Sequence, residues 1–167
     1  MSLLPIIRRK FEEQDRTDLQ EIIAKRVEQN FDFILKQYEQ LPFSFQGCYI
    51  CSDLFKELFP EYAASNENRT RYNAVVHNSA AVLADEQLKR VISDPMRQGS
   101  KVIFLTGVPG AGKTSSVLIS EQLPDDARAI YEGQLSRPEA GILKIQAALD
   151  AGLKPKIIVV HTPQREL

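Results

Sequence analysis

The sequence predicts an α/β fold: a parallel sheet flanked by helices, with a helical extension in front of it. Three observations carry that expectation. Short runs rich in β-branched and aromatic residues at 101–106, 127–131 and 156–161 alternate with helical patterns. Between 106 and 120 one such run passes through a glycine-rich turn into a helix. The first half of the chain carries long series of apolar residues spaced as on one face of a helix. Strands and helices that alternate in this way form βαβ units, whose strands run parallel and whose crossovers are right-handed.

Composition narrows the classes. The 167 residues, 43% hydrophobic and 26% charged, suit one ordinary domain of mixed structure. A net charge of −1 offers no basic excess to a nucleic acid. There is no apolar run long enough to span a membrane, and the opening MSLLPIIRRK lacks the layout of a signal peptide. The expectation is a cytoplasmic protein that engages neither nucleic acid nor membrane. Cys48 and Cys51 form a CxxC pair with no second pair to complete a zinc site, so they read as two small buried hydrophobes.

Taken in order, residues 1–16 show no clear period and read as an arm or a short helix. At Thr17 the Thr-x-x-Gln20 spacing has the form of a capping box, and apolar residues then recur at Leu19, Ile22, Ile23, Val27, Phe31, Ile34, Leu35 and Tyr38. This is an amphipathic helix over 17–39. Its stripe packs on the core, docks a partner or covers a nucleotide. Residues 41–47, with Pro42 and Gly47, read as a linker, and 48–51 as a short strand. Asp53 follows that strand and has two readings. With Ser52 it caps a helix over 54–59, or it is a carboxylate at the carboxyl edge of the sheet, placed to act as a general base. A helix over 65–93 opens at Ser65 or Asn66 and stops at Asp94-Pro95. Arg69, Arg71 and His77 in its first half face phosphates or, more simply, solvent.

The turn at 107–114 reads Gly107-x-x-x-x-Gly112-Lys113-Thr114, a complete P-loop signature between a strand and a helix. Gly107, Val108, Pro109, Gly110, Ala111 and Gly112 would curl around an anion, with Ser115 opening the helix whose N-terminus adds positive potential. Lys113 would reach the β- and γ-phosphates of a nucleotide, and the Thr114 hydroxyl would ligate Mg²⁺. The expected fold is therefore P-loop NTPase-like. Beyond it a strand over 127–131 ends in Glu132, a helix opens near Pro138 and closes at Gly152, and the strand 156–161 ends in His161, for which a structural role is the simpler reading. The sequence stops six residues later, at TPQREL. Phosphotransferases need arginines that close over the transferred group. Either the chain is a fragment or a truncated gene product, or those arginines are Arg69, Arg71, Arg137 or a partner's.

Three stretches resemble the zeta toxin family of P-loop kinases. They are VIFLTGVPGAGKTSSVL at 102–118, IYEGQLSRPEAGILKIQAALDAGLKPKIIVVHTP at 130–163, and YICSDLFKELFPEY at 49–62, which looks like the segment bearing that family's catalytic aspartate. Here the aspartate segment precedes the P-loop, which implies a permuted strand order that still brings Asp53 to the same sheet edge. The resemblance implies two regions: 1–47, an arm and amphipathic helix, and 48–167, a P-loop kinase-like domain incomplete at its C-terminus. It implies ATP and Mg²⁺ bound through Lys113 and Thr114, Asp53 as the base, and Arg137 as the nearby arginine. Glu132 and Gln134 would hold the acceptor, Gln134 standing where the family often has Thr. The implied reaction is phosphoryl transfer to a hydroxyl of a small molecule such as UDP-N-acetylglucosamine, with an antitoxin as protein partner. Two other readings stay open. One is an ATP hydrolase or nucleotide switch that depends on Glu132, and the other is a non-catalytic ATP-binding module that docks through the 17–39 helix.

Overall fold

The computed structural model describes residues 3–107, 126–133 and 138–160. Its elements in chain order begin with helix α1 (Gln14–Gln40), a 3-10 turn Pro42–Ser44, strand β1 (Tyr49–Cys51), and helices α2 (Ser52–Lys56), α3 (Pro60–Ala63) and α4 (Asn66–Ser93). Strands β2 (Lys101–Gly107) and β3 (Ala127–Glu132), helix α5 (Pro138–Asp150) and strand β4 (Lys154–Val160) follow. The expected α/β class holds, with the four strands in one parallel sheet and helices flanking it. The chain divides into two compact units, Met1–Gly47 with Cys51–Gln87, and Cys48–Ile50 with Leu88–Leu167.

In the first unit, residues 3–11 are an extended arm whose Ile6 is buried. The arm is held by side chains of the helices. The Gln20 amide accepts from the Arg9 N–H and donates to the Arg9 carbonyl, both at 2.9 Å, and Asn78 donates to the Ile7 carbonyl at 2.9 Å. This corrects the capping box. Helix α1 begins three residues before Thr17, and Gln20 is buried, so its amide pairs with the arm's peptide groups rather than closing a helix end. Thr17 lies in the first turn, its hydroxyl donating back to the Glu13 carbonyl at 3.4 Å. Helix α1 is kinked at Asn30, whose φ of −134° leaves the helical range while its amide donates to the Arg26 carbonyl. The apolar stripe is buried as expected at Ile23, Val27, Ile34 and Leu35, whereas Ile22, also counted in it, is 54% exposed. Tyr38 stacks on Phe55 with ring centroids 3.7 Å apart, and its hydroxyl accepts the Cys51 N–H. Helix α4 opens as the sequence indicates, the Ser65 hydroxyl accepting the Asn68 N–H at 3.0 Å.

In the second unit the strand order is β1-β3-β2-β4. Strand β2 runs parallel to β3 on one side and to β4 on the other. Val102, Ile103, Phe104 and Leu105 are buried in succession, which is the pattern of a strand covered on both faces rather than one. Strand β4 begins at Lys154, two residues before the expected start, because pairing with β2 already sets Lys154 opposite Lys101. At the amino edge of the sheet the Asp126 carbonyl accepts the N–H groups of Ser100 and Lys101, and the Ser100 hydroxyl donates to the Asp126 carboxylate. Arg128 donates to the carbonyls of Asp94, Gln98 and Gly99. Helix α5 closes at Gly152, with Leu153 N–H to the Ala148 carbonyl and Gly152 N–H to the Leu149 carbonyl, both 2.9 Å. These two bonds are a Schellman motif.

Two glycines with positive φ give a test of the second unit. At Gly99 (φ 102°) a Cβ would lie 2.6 Å from the Arg128 backbone nitrogen, whereas at Gly152 (φ 76°) it would meet nothing within 4 Å. Gly152→Ala should therefore cost only the left-handed strain, about 1 kcal/mol. Gly99→Ala adds a clash with backbone that cannot move aside and should cost about 3 kcal/mol. Urea unfolding of the two variants measures the difference.

Candidate functional site

Strand β2 ends at Gly107, the first residue of the glycine signature, and β3 ends at Glu132. Leu105 lies opposite Glu132 in the register, and the Gly133 N–H donates to the Leu105 carbonyl at 3.1 Å, joining the two strand ends. The chain leaves β2 for β3 on one side and returns past β2 to β4 on the other.

Among the described residues, Glu132 is a titratable group at this edge. It is 8% exposed, and burial pushes its carboxyl group up to about 7. The hydroxyl of Tyr49, itself buried, donates to Glu132 Oε2. Tyr49 stands on β1, which the Ile130 N–H fixes beside β3 by donating to the Cys48 carbonyl at 2.8 Å. Burial penalises the carboxylate, while a phenol that donates to it favours the ion, so the two act in opposite directions. The preceding Tyr131 packs at a tilt on Phe104, with centroids 6.3 Å apart, and carries the Lys144 ammonium 5.4 Å above its ring. A carboxyl group that titrates near neutral pH can take up and release a proton under working conditions.

The other expected site residues fall elsewhere. Val108, Pro109, Gly110, Ala111, Gly112, Lys113, Thr114, Ser115, Gln134, Arg137 and His161 lie outside the described residues. Asp53 belongs to the first unit, in the first turn of α2. The reading of Ser52 or Asp53 as a cap is corrected. The helix spans Ser52–Lys56 rather than 54–59, its N-cap is Cys51, and no side-chain cap bond forms. The Asp53 carboxylate instead takes the ammonium of Lys56 at 2.9 Å, which also donates to Asn73 Oδ1 at 2.8 Å. Lys56 is buried while Asp53 is 79% exposed, so the lysine reaches its charged partner from below the surface. Arg69 and Arg71 make ion pairs with Glu57 and Asp15, at 2.9 and 2.7 Å, and His77 is exposed. Burial raises the Cys51 thiol, so it is not set up as a reactive thiolate, and the part-buried Cys48 sulfur accepts from Arg97 at 3.4 Å.

Among the described residues no group of three His, Cys, Asp or Glu side chains could hold a metal ion, and no helix is long and apolar enough to cross a membrane. Sequence reasoning missed Tyr49 and Lys56. The signal for Tyr49 was a phenol amid apolar residues in a short strand, since a buried tyrosine hydroxyl normally has a polar partner. A comparison with protein-family models and with curated proteins finds no match.

The burial of Glu132 makes stability depend on pH. The folded carboxyl group keeps its proton up to about pH 7, while the unfolded chain releases it near 4.5. Its contribution is complete below the unfolded value and is lost as the pH rises through the folded one, about 3 kcal/mol across that window. Glu132→Gln should remove this slope and exceed the wild type in stability at about pH 8. Urea unfolding at about pH 5 and about pH 8 reads both effects.

Proposed function

We propose that this chain binds Mg²⁺-ATP at the carboxyl edge of its sheet and transfers the γ-phosphate to a hydroxyl of a small molecule, a nucleotide sugar such as UDP-N-acetylglucosamine being the acceptor that the resemblance to zeta toxins implies. The observation that carries this reading is the buried Glu132, whose carboxyl group is pushed up to about 7 beside the strand that leads into the Gly-x-x-x-x-Gly-Lys-Thr sequence. Phosphoryl transfer asks of the protein mainly positioning and charge stabilisation, plus a carboxylate that receives the acceptor's proton. We assign that proton to Glu132, and Asp53 is the carboxylate the resemblance implies for the same task. Lys113 would neutralise the β- and γ-phosphates and Thr114 would ligate Mg²⁺, whose demand for few protein ligands suits such a site. The region 1–47 and an antitoxin that binds the chain belong to the same reading.

A second reading is an ATP hydrolase or switch in which Glu132 orients water. The ion pair of Asp53 with Lys56 favours it, because that carboxylate is already engaged by an ammonium of its own helix.

ADP formation from Mg²⁺-ATP, with and without a panel of UDP-sugars, separates the readings. If the kinase proposal is right, one sugar stimulates turnover, Lys113→Ala abolishes it, and Glu132→Gln lowers it about 100-fold or more. Asp53→Asn falling as far would move the base to Asp53. Turnover that ignores every sugar yet depends on Glu132 would leave the hydrolase reading in place of the kinase.

A further inference from the structure

In the first unit, the start of α1 and the first turns of α4 border an open cavity of about 510 Å³, lined by Arg16, Asn66, Glu67, Thr70 and Arg71. Each of the five side chains carries a polar end. What the cavity can hold depends on which of those ends are already engaged. Arg71 gives Nε and Nη2 to the two oxygens of Asp15, at 2.8 and 2.7 Å, and the Tyr72 hydroxyl donates to the same carboxylate at 3.1 Å. Among the described residues this leaves the Nη1 donors of Arg71 unused. At Arg16, Nη1 lies 3.7 Å from Glu13 Oε2, too far for a hydrogen bond, and the buried Nε has no hydrogen-bond partner among the described residues. A buried N–H without an acceptor is unfavourable, so this guanidinium gains by turning to an acceptor that enters the cavity.

Glu67 brings the opposite preference. It stands four residues before Arg71 on α4, the order that best forms an ion pair along a helix, yet Asp15 of α1 takes that arginine. Among the described residues Glu67 therefore keeps an unpaired carboxylate in the lining, with the Asn66 amide and the Thr70 hydroxyl.

We propose that this cavity binds a small phosphorylated polyol, whose phosphate is held by Arg16 and Arg71 and whose hydroxyl groups donate to Glu67 and meet Asn66 and Thr70. Guanidinium groups with unused N–H donors suit a phosphate, which offers several acceptor oxygens to their forks. A bare anion does not account for Glu67, because a carboxylate in the lining repels it. A ligand with hydroxyl donors beside its phosphate accounts for both signs of charge. The volume fits that class, since pockets for small molecules run from about 300 to about 1,000 Å³. All five residues belong to the first unit, and the glycine turn at 107–114 contributes none of them.

The test is backbone amide NMR of the full chain, with glucose 6-phosphate, free glucose and inorganic phosphate as probes. Glucose 6-phosphate should shift the amides of residues 66–71 and bind about 10-fold more tightly than phosphate or glucose. Arg16→Gln removes no hydrogen bond seen in the fold and should weaken the sugar phosphate about 10-fold. Glu67→Gln relieves the repulsion and weakens the acceptor, so it should cut the preference over phosphate from about 10-fold to about 3-fold. Lys113→Ala should leave the shifts in place, which separates this cavity from any phosphate bound at the glycine turn. Amides of 66–71 that stay put at about 10 mM overturn the site. So do shifts that Arg16→Gln leaves unchanged or that Lys113→Ala removes. Phosphate that binds as tightly as the sugar phosphate overturns the polyol, and the role of Glu67 with it.

Discussion

Strand β2 is hydrogen-bonded along both edges, and much of the second unit follows from that. A parallel strand in the middle of a sheet is covered above and below, so its side chains cannot alternate between core and water. Val102 to Leu105 accordingly form an unbroken buried run. The polar chain ends are left to gather at the two edges of the sheet. At the amino edge the Asp126 carbonyl and the Arg128 guanidinium bind several peptide groups at once. At the carboxyl edge the described residues leave a carboxyl group and a phenol.

Keeping a carboxyl group in such a place is costly unless it is bonded, protonated or used. Glu132 is bonded to Tyr49 and titrates near neutral pH. A glutamine would satisfy the phenol without carrying a charge. That the chain keeps an acid there is the physical ground for linking this residue to proton transfer. The ion pair of Asp53 and Lys56 contrasts with it, since there the carboxylate is largely in water and the lysine is the buried partner. The two acids that end or follow neighbouring strands thus differ in character: one is desolvated and the other neutralised.

The sequence made legible whatever depends on near neighbours. The buried strands announced themselves through β-branched runs, Ser65 through its place before a long helix, and Gly152 through its place after one. The misreadings arose where a distant segment takes up a group that could have served locally. Gln20 looked like half of a capping box because its spacing from Thr17 is right, yet the arm's peptide groups at Arg9 claim its amide. Asp53 looked like a cap because its residue type suits one, yet Lys56 claims its carboxylate. Glu132 was recognisable as a strand-end acid, but its partner was not. Nothing local to Tyr49 reveals that β1 will lie beside β3, because that neighbour relation exists only once the order of the strands is known.

The same long reach has a bearing on how the chain is made. Strand β1 is synthesised early, but its neighbour β3 ends 83 residues after Tyr49, and β2 and the glycine turn come in between. Closing a loop of that length is entropically slow relative to forming α1 or α4, whose bonds are local. On the ribosome, Tyr49, Ile50 and Cys51 therefore wait as an unpaired apolar edge while the helical segments around them fold. The short length of β1, three residues, keeps that exposed edge small. A longer strand at this position would pair more firmly in the finished sheet and offer a wider template for misassembly during the wait.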